Sequence, residues 1–248
     1  MNSLKAVFWD LDGTIADTEL CGHRVAFNLA FRDFGLNWNW DEKKYLSLLE
    51  ISGGLNRIIH YRNETKCELS NSICSQIQKR KRLHYKNLIQ SGKINVRHGV
   101  KRLITEIANF DIKQIIVTTS GRESVEPFLQ TSLHSHLNFF SEIITYDDVN
   151  KHKPFPDAYE LAIKLSKHSP LNSIAIEDSN IGVKSAKAAN LNILLTLPPW
   201  SSSSNNITNN ANSCVDTLGD FEINSKLIYG NPLITNYVDL AYLKSIIN

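Results

Sequence analysis

Two aspartates, Asp10 and Asp12, stand two residues apart where the apolar run "AVFW" gives way to "DLDGT". A carboxylate left unpaired where a buried strand ends is costly, so the pair needs a counter-cation or a reaction. Three later stretches carry groups that would complete one. Thr118, Thr119 and Ser120 follow "QIIV", Lys153 lies in "KHKPFPDAY", and Glu177 and Asp178 follow "SIAI". Carboxylate oxygens are the ligands Mg²⁺ prefers, and that ion commonly shares its shell with a substrate phosphate. An aspartate can act as the nucleophile and carry the phosphoryl group as an aspartyl phosphate. A lysine and hydroxyl groups can neutralise the transferring oxygens, and a second carboxylate can move the proton. The set therefore suits phosphoryl transfer to a carboxylate, with Mg²⁺ as cofactor.

These groups converge only if their strands lie side by side. After Gly99 the chain alternates helical and strand-like runs: "VKRLITEIANF", "QIIVTTS", "SVEPFLQ", "SEIITY", "DAYELAIKLS", "SIAIED", "GVKSAKAAN" and "NILLT". Such alternation implies a parallel sheet with helices on both faces, whose strands read as continuous apolar runs. Ligands gather at the carboxyl ends of such strands, where the polar residues fall. The opening strand is separated from its partners by residues 17–95, which read as helices throughout: 18–34, "EKKYLSLLE", "LNRIIHY", and 71–90 with Ile73, Ile77, His84 and Leu88 on one side. "NWNWD" reads as a polar link. The expected fold is α/β: a Rossmann-like parallel-sheet core from residues 1–16 and 96–248, with a helical cap domain, 17–95, inserted after the first strand. Residues 201–213, "SSSSNNITNNANS", read as a flexible surface loop, and Asn206 with Thr208 as a chance glycosylation acceptor. A final strand near "CVDTL" and a helix near "VDLAYLKSII" are expected beyond it.

Composition narrows the function. The 248 residues are 42% hydrophobic with a net charge of +2, too small to argue for nucleic acid or an acidic membrane face. Four cysteines form no CxxC pair, and no secretory signal or membrane-length apolar run is present, so the expectation is a cytoplasmic monomer with reduced thiols.

"DLDGT", a Thr/Ser ending an apolar strand, "KPxPD" and "EDS", in this order, resemble the haloacid-dehalogenase-like hydrolases. That resemblance implies Asp10 as nucleophile, Asp12 as general acid/base, and Thr118 and Lys153 on the phosphate. It also implies Mg²⁺ held by Asp10, the Asp12 carbonyl and Asp178, with Glu177 close by. The inserted segment resembles the small cap of the β-phosphoglucomutase-like subfamily. "DTELCGHRVAFNLAF", "LLEISGGLNR", "NVRHGV" and "IEDSNIGVKSAKAA" are similar to its CbbY-like branch, known for xylulose-1,5-bisphosphate phosphatases. The resemblance runs from about Lys5 to Thr196 and suggests Glu19, His23, Gly53, Gly54, Arg57 and Lys81 as substrate contacts, beside Thr119 and Ser120. Lys81, in the run "KRKR", matches a lysine for a distal phosphate. Two positions depart from the pattern. Leu55 replaces a basic residue, for which Arg57 is the candidate substitute, and Asn190 replaces a glycine at a helix end, where Asn tolerates the left-handed conformation.

A phosphorylated sugar is thus the expected partner, with xylulose-1,5-bisphosphate the leading substrate. A phosphomutase would share Asp10, Asp12 and the cap, and differ in passing the phosphoryl group to a sugar hydroxyl instead of water. A catalytically silent binding protein of the same fold would lack the nucleophile or the lysine, and this chain has both.

Overall fold

A computed structural model describes residues 3–49, 51, 53–198 and 210–247. The chain divides into two compact units: Met1–Asp17 with Val96–Asn248, and Thr18–Asn95.

The first unit is built on a seven-stranded sheet. Its strands are β1 (Ala6–Trp9), β2 (Lys113–Val117), β3 (Glu142–Ile144), β4 (Ser173–Glu177), β5 (Asn192–Thr196), β6 (Ser213–Val215) and β7 (Leu227–Tyr229), in the order β3-β2-β1-β4-β5-β6-β7. All pairings from β3 to β6 are parallel, with Ala6 opposite both Lys113 and Ser173. β1 is therefore central, and the strand order reverses across it, which is where ligands of such sheets bind. Alternation along β1 divides the packing. Ala6 and Phe8 join a core with Ile115, Val117, Ala175, Tyr159, Ala162, Val183 and Ala186. Trp9 is also fully buried, and its indole N–H donates to Gln114 Oε1 at 3.1 Å. Gln114 in turn donates to the carbonyl of Ile104 at 3.0 Å.

With α5 (Val100–Ala108), α6 (Arg122–Ser132), α7 (Asp157–Ser166) and α8 (Asn180–Ala188), the alternating elements match the expected α/β fold. Asn190 has φ 59°, the left-handed value expected of the residue that replaces glycine there. The tail differs in two respects. β7 is antiparallel to β6, an edge strand not foreseen because it is only three residues long, with Ile228 exposed and its neighbours partly buried. Ser213, assigned from sequence to the polar loop, opens β6, and α9 (Leu240–Ile246) follows near the expected place. Residues 201–209, including Asn206 and Thr208, lie outside the described residues.

The second unit is helical. A π-helical segment, Glu19–Arg24, runs into α1 (Val25–Asp33), where a single helix over 18–34 was expected. α2 (Glu42–Leu48), α3 (Gly54–Glu64) and α4 (Asn71–Gln90) follow. Asp41 and Ser70 cap α2 and α4, accepting from Lys44 N at 2.7 Å and Ile73 N at 3.2 Å. The core holds Phe27, Ala30, Phe31, Trp40, Tyr45, Leu48, Ile58, Cys74 and Ile77. "NWNWD" is therefore no polar link. Trp40 is fully buried, its backbone clamped by the Asn28 amide at 2.8 and 2.9 Å, and Trp38 packs edge-on against Phe31 and Tyr61. The buried face of α4 runs through Cys74, Ile77, Lys81, Tyr85 and Leu88, so His84 turns aside and meets Asp33 at 2.7 Å. Among the described residues no helix is long and apolar enough to cross a membrane.

Candidate active site

Each strand end delivers its polar residues to the same rim. Asp10 follows β1, and its amide donates to the carbonyl of Ile176 in β4, which fixes the chain as it leaves the sheet. Oxygens of Asp10, Glu177 and Asp178 lie within 4.8 Å of one another. Lys153 enters between them. Its ammonium donates to Asp10 Oδ1 and Glu177 Oε1, each at 2.7 Å, and to the carbonyl of Val117 at 2.9 Å. The Lys153–Pro154 bond is cis.

Burial and mutual repulsion dominate the electrostatics. Asp10 is pushed up from 3.8 to about 7 by burial, opposed by the Lys153 ammonium and reinforced by Glu177 and Asp12. Asp178 is raised well above the carboxylate range by burial, then by Asp10 and Glu177. Attraction to Asp10 and Glu177 outweighs burial at Lys153 and holds it firmly protonated. One lysine does not balance three acids. Asp10 Oδ2 is buried with no hydrogen-bond partner among the described residues. An orphaned oxygen on a carboxylate clustered with two more acids suits an oxygen-preferring divalent cation, so the donor set fits Mg²⁺.

Asp12 takes a different environment. Its Oδ2 accepts from Ser120 Oγ at 2.6 Å and Thr118 Oγ1 at 3.2 Å, and Ser120 N donates to Thr118 Oγ1 at 3.0 Å. The hydroxyls after β2 thus orient the second aspartate, while Thr119 is exposed. Two carboxylates in unlike surroundings can take unlike roles.

Close packing sets the acids. A Cβ on Gly182 would lie 1.8 Å from Glu177 Oε2, and one on Gly13, at φ +94°, would lie 1.9 Å from Asp178 Oδ2. Neither glycine can be replaced without displacing a carboxylate. Two further groups escaped sequence reading. Tyr159 OH donates to Glu177 Oε1 at 2.6 Å. The buried Arg97 guanidinium donates to the carbonyls of Gly13, Leu197 at 2.6 Å and Asp216 at 3.2 Å, pinning the loop after β1 from behind. Its one sequence signal is a charge set directly between "INV" and "HGV".

The helical unit gathers its own polar group. Lys81, though buried, has its ammonium 2.9 Å from His23 Nδ1 and over the Phe27 and Tyr85 rings, each centroid at 4.9 Å. Burial and the charges of Lys81 and Arg57 hold His23 well below its usual range, so Nδ1 is the acceptor. Glu19 accepts from Tyr45 OH, and Arg57 donates to Tyr45 OH at 3.5 Å and to the carbonyl of Ile51 at 2.9 Å. Glu19, His23, Arg57 and Lys81 are therefore neighbours, joined by Tyr45 and Tyr85. Leu55 packs against the apolar core of the unit. Gly53 adopts φ 85° ahead of α3, a backbone reason for glycine, and a Cβ on Gly54 would meet the Gln78 amide at 2.7 Å, a packing reason.

Comparison with known proteins identifies the family and the fold. The family described as haloacid dehalogenase-like hydrolase matches residues 7–196. The protein CbbY of Rhodobacter capsulatus is 34% identical, over 78% of this chain and 85% of that one. Beta-phosphoglucomutase of Bacillus subtilis is 27% identical, over 76% and 81% respectively. A solved CbbY variant from Rhodobacter sphaeroides, in complex with xylulose-(1,5)bisphosphate, superposes with a TM-score of 0.75 at 29% identity, over 88% of this chain and 98% of that one. The chain belongs to the haloacid dehalogenase-like hydrolases, as its motifs led us to expect, and is an enzyme of the phosphatase class.

Proposed function

We propose that this chain is a Mg²⁺-dependent sugar-phosphate phosphatase working through an aspartyl phosphate, with xylulose-1,5-bisphosphate as substrate. The observation that carries the reading is Asp10: a buried carboxylate with one oxygen on Lys153 and the other unpartnered beside two acids. The relative solved with that bisphosphate supports the choice of substrate.

In this reading Asp10 attacks phosphorus and the bond from phosphorus to the sugar oxygen breaks. Asp12, oriented by Ser120 and Thr118, gives its proton to that oxygen. Asp12 then takes a proton from the water that attacks the aspartyl phosphate, releasing inorganic phosphate and restoring Asp10. Lys153 neutralises the phosphate oxygens during transfer. Mg²⁺ would be held by Asp10, the Asp12 carbonyl and Asp178, with Glu177 close by, and when bound supplies positive charge against the phosphate and the acids. We assign the helical unit the part of a cap that selects the substrate. Its buried Lys81 beside a neutral His23 is the candidate site for the second phosphate. The four cysteines, none in a disulfide, suit a reducing cytoplasm.

The test is phosphate release from xylulose-1,5-bisphosphate with Mg²⁺, the sugar products being identified alongside. Release that stops in EDTA is expected. An isomerised sugar phosphate without free phosphate would mean a mutase, and no turnover would reject the reading.

A further inference from the structure

We propose that the Tyr159 hydroxyl is a positioning group that holds Glu177 so that Lys153 can turn a donor toward the substrate's phosphate. The inference rests on the phosphatase reading above. It begins from a count of donors. A lysine ammonium has three N–H groups. Those of Lys153 meet three acceptors, Asp10 Oδ1 and Glu177 Oε1 at 2.7 Å and Val117 O at 2.9 Å, and the side chain is only 4% exposed. The ammonium is saturated. A phosphate that needs a donor from it must displace one of these partners.

The three bonds are not equally replaceable. Lys153 supplies the hydrogen bond to Asp10 among the described residues, and losing it would loosen the nucleophile. The Val117 carbonyl belongs to β2 and is fixed in place by the sheet. Among the described residues Glu177 Oε1 alone of the three has a second side-chain donor, Tyr159 OH at 2.6 Å. When Lys153 leaves, Oε1 keeps the Tyr159 hydrogen bond, whereas Asp178 N and Ser179 Oγ, at 3.3 and 3.5 Å, reach only Oε2, so the hydroxyl spares this oxygen the cost of being stranded. Tyr159 is itself fully buried on α7, and the Lys153 ammonium lies 5.0 Å from its ring centroid. The ring thus limits where the lysine head can swing. The hydroxyl makes no other hydrogen bond among the described residues.

Tyr159→Phe removes the second donor and leaves the packing intact. Glu177 Oε1 then depends on Lys153, and an arriving phosphate must compete with it. Outer partners of such sites are worth about 10- to 100-fold in affinity or activity. We expect inorganic phosphate, titrated with Mg²⁺ present, to bind about 10-fold or more weakly to Tyr159→Phe, with an unchanged far-ultraviolet spectrum. KM for a sugar phosphate should rise more than kcat falls. The decisive readout is a double-mutant cycle with Glu177→Gln. A neutral amide holds Lys153 less tightly, so Tyr159→Phe should cost little more in that background. Phosphate affinity within twofold of wild type overturns the proposal, as does full additivity in the cycle. A lower melting temperature with unchanged phosphate affinity would make Tyr159 a packing residue only. Phosphate binding is measured without turnover, so absence of any phosphatase activity would count against the function and not against this role.

Discussion

Asp10→Asn should abolish turnover and yet stabilise the metal-free protein. Asp10 has a folded value of about 7 against 3.8 for an ordinary carboxyl, because burial and Glu177 outweigh Lys153. Its folded form therefore binds more protons than the unfolded chain between those values. Stability is lost as pH rises through that window, and the loss is complete above pH 7. The gap corresponds to at most about 4 kcal/mol. Asn mimics the neutral acid in shape, and its amide N–H can face the oxygens of Glu177 and Asp178. In EDTA at pH 8 we expect the variant to be more stable by about 2 to 4 kcal/mol, or roughly 5 to 15 °C in Tm for a chain of this size. The difference should shrink on acidification toward pH 4. Mg²⁺ should narrow it, since saturation to about 100 times Kd adds roughly 2.7 kcal/mol to a protein with an intact site. Thermal melts across pH, with EDTA or Mg²⁺, decide the matter. A variant less stable than wild type in EDTA at pH 8, or a gap independent of pH, would refute the reasoning.

The other expectations concern single side chains. Asp12→Ala should slow turnover by about 10² to 10⁴, and a variant within tenfold of wild type would exclude Asp12 as the proton carrier. Lys81→Ala should lower kcat/KM for xylulose-1,5-bisphosphate about 10- to 150-fold more than for a small monophosphate, while an equal loss on both would make Lys81 structural. Gly182→Ala would drive a methyl to 1.8 Å from Glu177 Oε2, so denaturant titration should show a loss of about 1 to 3 kcal/mol together with weaker Mg²⁺ dependence.

The groups at the rim were legible because strand ends in a parallel sheet share one edge, and apolar runs mark those ends. Asp10, Asp12, Thr118, Glu177 and Asp178 follow this rule, whereas Lys153 lies nine residues past the end of β3 and was read from "KPFPD". Tyr159 and Arg97 do not. Tyr159 reads as an apolar position of α7, and only the approach of β4 to α7 places its hydroxyl on Glu177. Arg97 acts through carbonyls as distant as Gly13 and Asp216, a relation that no local pattern encodes. Trp40 was misread because exposed asparagines flank a fully buried ring. β7 was missed because a short, half-buried edge strand has neither the alternation nor the apolar run that marks the others.

The central position of β1 has a consequence in time. The strand is made first, but its partners are not: Ala6 pairs with Lys113 on one side and Ser173 on the other. The helical unit, Thr18–Asn95, is contiguous and complete long before. At about 5 to 20 residues per second, Glu177 leaves the ribosome roughly 4 to 16 seconds after Asn95. During that interval "AVFW" has no sheet to join, and four residues that end fully buried stay available to other chains. Asp10, made early, thus meets Glu177 and Asp178 only once β4 arrives, so a chain halted before β4 would carry a complete helical segment and no acid cluster.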